Sequence, residues 1–305
     1  MTKSNESFYG TLAVILASVF WGTTGVAASF APNVNSLAIG AVAMGFGGLL
    51  LVLCSLKSLL EDRVLLIQNI KWIIIGGLSV AIYPLAFYTA MKWSGVAIGN
   101  IISIASAPLY SAIFERLFSK RSVSLKWWVC FAFGLTGVTF LSLGKVSSIS
   151  HTSTPSYHYF GMLLGALAGL TYALYAWIGK SLIDKGIRSK SSMASMFGCA
   201  ALILLPTLIF TGEGLFDSVT NIAAISYIAV IPMFCGYLLF GYGLNRIAAS
   251  QATMITLLEP VIATLLAIQV IGEQFVMIGW IGMALVMICL ILQVSPTRRL
   301  EKIPI

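Results

Sequence analysis

The sequence predicts an all-α integral membrane protein with ten transmembrane helices. Of its 305 residues, 59% are hydrophobic and only 9% are charged, and the mean hydropathy is +0.97. These values are typical of a polytopic membrane protein. Apolar runs of about twenty residues, the length that a bilayer-spanning helix requires, recur almost from end to end and leave no room for a soluble domain. The five cysteines lie within these runs and are expected to pack as small hydrophobic side chains.

We number the predicted spans 1 to 10, at residues 10–30, 35–56, 72–91, 96–116, 126–143, 159–179, 192–210, 221–242, 250–271 and 275–293. The first span ends in AASFA, which is similar to a signal-peptidase site. Its apolar run is too long for a signal sequence, however, and further spans follow it. We therefore expect span 1 to be retained.

Positive charges predict which side of the membrane each loop occupies. Of the 18 Lys and Arg residues, all except Lys92 and Lys145 lie in the N-terminus, the even-numbered loops or the C-terminus. Because basic residues concentrate on the cytoplasmic side, both termini are predicted to be cytoplasmic, in a protein of the cytoplasmic membrane. The net charge of +8 then reflects topology, and no nucleic-acid partner is expected. Contact of basic loops with anionic lipid is a lesser alternative.

The two halves of the chain resemble each other. YGTLAVILASVFWG matches FGMLLGALAGLTYA, which pairs Trp21 with Tyr172, and ASAPLYSAIF matches LLEPVIATLL at nearly the same offset, which pairs Pro108 with Pro260. Each copy holds five spans, an odd number, so the second copy is expected to be inverted, as in many secondary transporters. The predicted units are a cytoplasmic N-terminus at 1–8, a first repeat at 9–143, an external linker at 144–158, a second repeat at 159–293 and a cytoplasmic tail at 294–305.

The order of motifs in both halves resembles the EamA branch of the drug/metabolite transporter superfamily. The motifs are a Trp-Gly near the end of span 1, the segments SGVAIGNIISIASAPLYSAIF and AASQATMITLLEPVIATLLA, and Gly272-Glu273 before span 10. The resemblance covers nearly the whole chain and implies a ten-helix transporter. In one departure, Lys120-Arg121 replaces the Gly-Glu that such proteins often have in the first half. That loop is predicted to be cytoplasmic, where positive charge is favoured.

Glu259 and Pro260 stand side by side within the apolar stretch ITLLEPVIATLLAI. Glu259 lies about nine residues into span 9, or about 14 Å, near mid-membrane. An ionised carboxylate is costly there, so we expect it to be protonated, paired or next to a water-filled cavity. Pro260 frees the carbonyl group of Thr256 and breaks the helix, and such breaks are tolerated where they line a cavity. Two roles remain open: the carboxyl group only repairs backbone bonding, or it binds a cationic substrate or the coupling proton.

Helical phase selects further candidates for a central substrate site. They are polar or aromatic residues within the spans: Trp21, Tyr83, Asn100, Ser103, Tyr110, Tyr172, Tyr175 and Tyr237. Asn100, Ser103, Ala107 and Tyr110 follow one another at spacings of three, four and three, which predicts a shared face on span 4. Inverted copies would bring Trp21 and Tyr172 to opposite walls of one site. Packing within the bundle is the alternative for each aromatic residue.

Other residues are assigned structural roles. Pro108 is expected to break span 4 as Pro260 breaks span 9. Four tryptophans near helix ends are expected to anchor the helices at the membrane interface: Trp72, Trp93, Trp127 and Trp128.

Several classes of function lack the residues that they need. No Lys or Arg is predicted at mid-membrane, where a phosphate-bearing substrate requires a cationic partner. Both histidines, His151 and His158, fall in the predicted linker, and the sequence has no zinc-protease motif, nucleophile elbow or nucleotide-binding loop. We therefore expect no enzyme, no metal and no other cofactor.

These observations predict a secondary active transporter of small organic metabolites that works by alternating access and is driven by protons or by another gradient. Export of amino-acid-like or amphipathic compounds is the first expectation, because the resembled branch is rich in exporters. Uptake of a cationic or quaternary amine, held by Trp21 and Tyr172 through cation–π contact and balanced by Glu259, is the second. A membrane binding or sensory protein without transport is the alternative of a different class. The expected partners are the small-molecule substrate, the lipid bilayer and protons, and the oligomeric state is left open.

Overall fold

The computed structural model describes residues 3–144 and 155–295. Most of the predicted linker, with Lys145 and His151, lies outside the described residues. So does the tail beyond Ser295, with its three basic residues.

Ten helices in the described part of the chain are long and apolar enough to cross a membrane, which confirms the predicted number. Helices are the expected form, because each backbone polar group is satisfied within its own segment. Their bounds, span by span, are Lys3–Gly22 continued by Thr24–Ser29, Ser36–Cys54, Ile70–Ser94, Val96–Phe118, Leu125–Leu143, Pro155–Asp184, Ser189–Thr211, Val219–Ile228 continued through Ala229–Cys235 to Gly236–Leu244, Ala249–Ile255 continued through Leu258–Leu266 to Ala267–Ile271, and Met277–Val294.

The helices extend beyond several predicted ends. Span 6 begins at Pro155 and ends at Asp184, outside the predicted 159–179, because its polar last turn continues the helix past the apolar run. Two short helices, Leu56–Glu61 and Arg63–Gln68, occupy the loop after span 2, where no helix was predicted. Hydropathy marks the part of a helix inside the bilayer and gives no signal for its polar continuation.

Three spans depart from regular α-helix partway along their length. Span 1 is interrupted at Thr23, and span 8 passes through a π-helical segment, Ala229–Cys235, that contains Pro232. Span 9 is interrupted between Ile255 and Leu258, just before Pro260. Such irregular turns are frequent at functional sites, and here all three adjoin one cavity.

The spans pack in a pattern that repeats when five is added to each span number. Span 3 packs against span 6 and span 8 against span 1, while span 4 packs against span 6 and span 9 against span 1. Spans 2 and 7 form one pair, and spans 5 and 10 form another. This pairing is the one expected of two structurally equivalent halves related by a twofold axis.

Polar contacts hold the spans together at the end of the bundle that is predicted to be cytoplasmic. Arg121 bridges to Asp184 at 3.3 Å, and Lys185 donates to Asn69 at 2.7 Å. The Arg188 amide donates to the Asp62 carboxylate at 3.0 Å. These contacts join the loops after spans 2, 4 and 6, so this end of the bundle is closed.

Candidate functional site

A cavity of about 270 Å³ lies at the centre of the bundle. Spans 1, 2, 3, 4, 6, 8 and 9 contribute to its walls, and the lining residues from spans 1 to 4 come from the parts of those helices nearest the predicted external side. The cavity therefore extends from mid-membrane toward that side, opposite the closed end. A concave, largely apolar site with a few polar groups is the usual form of a small-molecule site.

Glu259 lines this cavity with its side chain half-buried. Among the described residues, its carboxylate has no hydrogen-bond or ion-pair partner within the protein. Thr24 lines the same cavity, and its buried hydroxyl group also lacks a partner among those residues. Polar groups inside a protein normally have a hydrogen-bond partner. The Glu259 carboxylate and the Thr24 hydroxyl are therefore available to bind water or a ligand.

The backbone around Pro260 does not use the Glu259 carboxylate. The carbonyl group of Thr256, which loses its usual donor at Pro260, accepts instead from the Glu259 amide at 3.0 Å. The Thr256 hydroxyl donates to the Thr253 carbonyl at 2.9 Å and accepts from the Tyr172 hydroxyl at 2.9 Å. Backbone and neighbouring hydroxyl groups thus satisfy the break, and the carboxylate stays directed at the cavity.

Gly22, in the Trp-Gly pair of span 1, lets span 9 approach closely at Glu259. A Cβ atom on Gly22 would lie 2.6 Å from Cβ of Ile262 and 3.0 Å from the carbonyl oxygen of Glu259. Both distances are shorter than normal van der Waals contact, so any side chain at position 22 would push the two spans apart. Gly22 therefore contributes to the position of Glu259.

Trp21 lies at the wall of the cavity but is 95% covered by protein. Its indole Nε1 donates to the carbonyl of Pro232 at 2.8 Å, within the π-helical segment of span 8. A Cβ on Gly236 would lie 2.7 Å from that nitrogen, so only glycine leaves room for the ring. The ring also packs against Tyr237 and Phe240, with centroids 4.8 and 5.3 Å away. Trp21 thus joins spans 1 and 8, and little of its face is left for a ligand.

Three predicted tyrosines form the inner wall of the cavity. Tyr172, Tyr175 and Tyr237 are each more than 95% buried. The hydroxyl groups of Tyr175 and Tyr237 are 2.9 Å apart and share a hydrogen bond, and the rings of Tyr172 and Tyr175 pack with centroids 5.2 Å apart. This packing makes the inner wall rigid and aromatic.

Span 3 supplies the more accessible aromatic wall. Tyr83, Phe87 and Tyr88 are half-buried and line the cavity, and Tyr83 stacks on Phe87 with centroids 5.7 Å apart. Tyr83 also contacts Tyr172 at 5.6 Å, which joins the two aromatic walls. A ligand in the cavity meets these side chains more directly than it meets Trp21.

Only part of the predicted polar face of span 4 reaches the cavity. Asn100 lines the cavity, whereas Ser103 and Tyr110 do not. Ser103 is fully buried and donates to the Gly99 carbonyl at 2.7 Å. At about 100° per residue, Tyr110 lies about 80° around the helix from Asn100 and about 15 Å along it. Spacings of three, four and three therefore drift away from the cavity face, which Val96, Asn100 and Ile104 form.

The prolines differ in their effect. Pro260 lies beside the interruption in span 9, as predicted, but Pro108 lies within a continuous helix, Val96–Phe118. The expected break in span 4 is therefore absent, since the loss of one amide donor can be absorbed without ending a helix. Pro84, in span 3, lines the cavity and was not among the predicted residues.

Glu115 is a buried acid that the sequence reasoning missed. It lies near the predicted cytoplasmic end of span 4 and is 3% exposed. Its carboxylate accepts from the Ala249 amide at 2.8 Å and from the Ser250 hydroxyl, so it caps the first turn of span 9. Trp127, predicted to be an interface anchor, is instead buried and donates to the Ser250 carbonyl at 3.3 Å. Spans 4, 5 and 9 are thus joined at the closed end.

The cavity is lined by many aromatic side chains, and its charged lining residue is an acid. Glu259 is its one charged residue within the described part of the chain, and it includes no Lys, Arg or His. The same part of the chain has no cluster of three potential metal ligands. Further lining residues, Thr24, Phe87 and Tyr88, escaped prediction, although the aromatic run around Pro84 in YPLAFY was a usable signal.

Comparison with known proteins places the chain in a family. The model of the EamA-like transporter family matches it twice, over residues 8–143 and 159–295. The chain is 31% identical to the uncharacterized transporter YwfM of Bacillus subtilis over 300 residues, which covers 95% of each protein. It is 24% identical to the uncharacterized inner membrane transporter YicL of Salmonella typhimurium, with 95% and 96% covered.

A solved crystal structure supports the fold separately. It superposes with a TM-score of 0.75 at 18% sequence identity and covers 93% of this chain and 95% of its own. At that identity the likeness concerns the fold alone. The two family matches together span most of the chain and coincide closely with the two five-helix halves. The protein is therefore a multi-pass membrane protein that belongs to the EamA-like transporter family.

Proposed function

We propose that the protein is a secondary active transporter that moves a small organic solute with an ammonium group and an apolar body. The observation that carries this proposal is the Glu259 carboxylate, which faces an aromatic cavity without a partner among the described residues. A cationic group of a solute or a proton would supply the missing partner. Tyr83 and Tyr88 would contact the cation or the apolar body of the solute.

Alternating access follows from the asymmetry between the two ends of the bundle. The cavity extends toward the predicted external side, and the polar contacts of Glu115, Asp184 and Asp62 close the other end. Movement of a solute requires that these contacts open while the outer half closes. The matching pairs of spans support two inverted repeats, which would exchange conformations in such a cycle.

Export from the cytoplasm of an amino-acid-like or amphipathic compound is the direction that we propose. Proton entry through Glu259 would drive it, in a protein of the cytoplasmic membrane with both termini cytoplasmic. Uptake of a quaternary amine is the second candidate, favoured by the half-buried aromatic wall of span 3. Both share the need for a positive group opposite Glu259.

A thermal-shift screen of the purified protein tests the substrate class. The ligand panel contains matched compounds with one apolar body and a primary ammonium, a quaternary ammonium, a neutral amide or a phosphate group. We expect the two cations to raise the melting temperature most, and the phosphate to have no effect because no basic residue lines the cavity. In Tyr88→Leu the response to the cations should fall, while Tyr159→Leu, at the exposed end of span 6, serves as the control. Stabilisation by the phosphate compound alone would overturn the assignment.

A further inference from the structure

We infer that the predicted cytoplasmic ends of spans 3, 4 and 6 form a binding site for the headgroup of an anionic phospholipid. A second cavity, of about 260 Å³, lies there and is separate from the central one. We call it the headgroup pocket, and it is defined by Trp72, Phe118, Ser119, Trp177, Ser181 and Lys185. It does not depend on the proposed transport function.

The ends of three helices meet at this pocket. Trp72 is in the first turn of span 3, Ser119 directly follows span 4, and Lys185 directly follows span 6. The ring centroids of Trp72 and Trp177 are 5.5 Å apart, and Trp177 Nε1 donates to the Ser119 hydroxyl at 2.9 Å. Trp177 is buried and forms the inner wall of the pocket, whereas the half-buried Trp72, near a helix end, lies where tryptophans contact lipid headgroups.

The pocket is positively charged. Lys185 Nζ is 6.0 Å from the centroid of the Trp72 ring and donates to Asn69 at 2.7 Å. An ammonium group has three donors, so two remain for an anion. The neighbouring acid, Asp184, is bridged by both Lys180 at 3.0 Å and Arg121 at 3.3 Å. Lys180 and Arg121 thus neutralise Asp184, and the charged residue that lines the pocket is Lys185, so the balance favours a negatively charged ligand.

The apolar side of the pocket indicates a lipid and not a soluble phosphate. Leu117 is 66% exposed and Phe118 59% exposed at the end of span 4, next to the pocket. In a membrane these side chains contact acyl chains. A ligand that offers a phosphate to Lys185 and an acyl chain to Phe118 satisfies both surfaces, and an anionic phospholipid has both parts.

Native mass spectrometry of the detergent-purified protein tests the site. Phosphatidylglycerol and phosphatidylcholine with identical acyl chains are added in competition, and the retained lipid is counted. We expect preferential retention of phosphatidylglycerol, and a loss of that preference by roughly fivefold in Lys185→Gln, the factor associated with one basic residue near an anionic lipid. Lys190→Gln, an exposed lysine in the first turn of span 7, is the matched control and should leave the preference unchanged.

Two further arms keep the test decisive. Ser181→Leu fills the pocket without a change in charge and should lower the preference as well, which protects the test if Lys185→Gln does not fold. Glycerol 3-phosphate should not compete with phosphatidylglycerol, and effective competition would assign the pocket to a soluble phosphate. Equal retention of the two lipids by the unaltered protein, or an unchanged preference in both pocket variants, would overturn the proposal.

Discussion

The Glu259 carboxylate lies near mid-membrane, and no hydrogen bond or ion pair with the described residues gives it a role in stabilising the fold. At the break in span 9, the Glu259 amide donates to the Thr256 carbonyl, and the Tyr172 hydroxyl donates to the Thr256 hydroxyl. The Glu259 side chain instead faces the cavity. A carboxylate that is costly to place at this depth, and that has no polar partner among the described residues, is best explained by function.

Glu259→Gln is expected to abolish pH-dependent transport and to leave the folded protein intact. Glutamine keeps the shape and much of the hydrogen-bonding capacity of the side chain but cannot ionise. The measurement is solute flux across proteoliposome membranes at several pH values, with the melting temperature as the check on folding. Glu273→Gln, at the exposed Gly-Glu turn before span 10, is the control. Unchanged pH dependence in Glu259→Gln would exclude a coupling role.

Single residues of the cavity lining can be predicted from the sequence where their residue type and their depth in a span are enough to place them. The proximity of Glu259, Tyr83 and Asn100 in one cavity follows the expectation, because their spans and depths are readable from the sequence. Ser103 and Tyr110 depart from it, because at about 100° per residue they lie about 60° and about 80° around the helix from Asn100. Glu115 escapes notice because it lies near a helix end, and only the fold brings the first turn of span 9 to it.

At the scale of elements, the close approach of spans 1 and 9 is what holds the site together. Span 1 is interrupted at Thr23 and span 9 before Leu258, and Gly22, directly before the first interruption, lies against Glu259 and Ile262, just after the second. Pro260 makes the second interruption predictable. The first has no proline. There the Thr23 hydroxyl donates to the Phe20 carbonyl at 2.6 Å, a local contact that hydropathy does not report.

Gly22→Ala is expected to lower stability by about 1–3 kcal/mol, because the added methyl group overlaps Ile262 and the Glu259 carbonyl. It should also weaken ligand binding by displacing Glu259. Gly25→Ala provides a matched control, since a Cβ at position 25 meets nothing within 4 Å. Thermal unfolding in detergent compares the two variants. Equal melting temperatures would show that the approach of the spans is not tight at Gly22.

Glu115→Ala is expected to destabilise the closed end of the bundle by about 1–3 kcal/mol, because the amide of Ala249 and the hydroxyl of Ser250 lose their acceptor. Glu6→Ala, exposed in the first turn of span 1, should have little effect. Hydrogen exchange of the first turn of span 9 is the measurement. Faster exchange confined to that turn is the predicted result, and unchanged exchange would contradict the capping role.

At the scale of the whole molecule, topology decides which side each end of the bundle faces. The charge asymmetry predicts that the closed end is cytoplasmic. Alkaline phosphatase fused after His151 should therefore be active, and the same enzyme fused after Lys185 should be inactive. Activity in the reverse pattern would invert the orientation, and the central cavity would then extend toward the cytoplasm.

The ten spans and their division into two similar halves were predictable because hydropathy and internal similarity are properties of the sequence alone. The packing of span 3 against span 6 and of span 8 against span 1 was not, since it depends on close helix contacts at glycines such as Gly161 and Gly243. The central cavity exists only in that packed arrangement. Its volume and the contributions of Thr24, Phe87 and Tyr88 to its lining are accordingly known from the structure.

The central claim is that the cavity around Glu259 carries a solute across the membrane, and solute counterflow tests it most directly. The strongest cationic ligand from the thermal-shift screen is loaded unlabelled into proteoliposomes, and labelled solute is supplied outside at low concentration. The account predicts transient accumulation of label above its equilibrium level, dependent on the internal load and absent from protein-free liposomes. Saturable binding of label that is the same with and without the internal load would contradict transport and favour a binding or sensory protein.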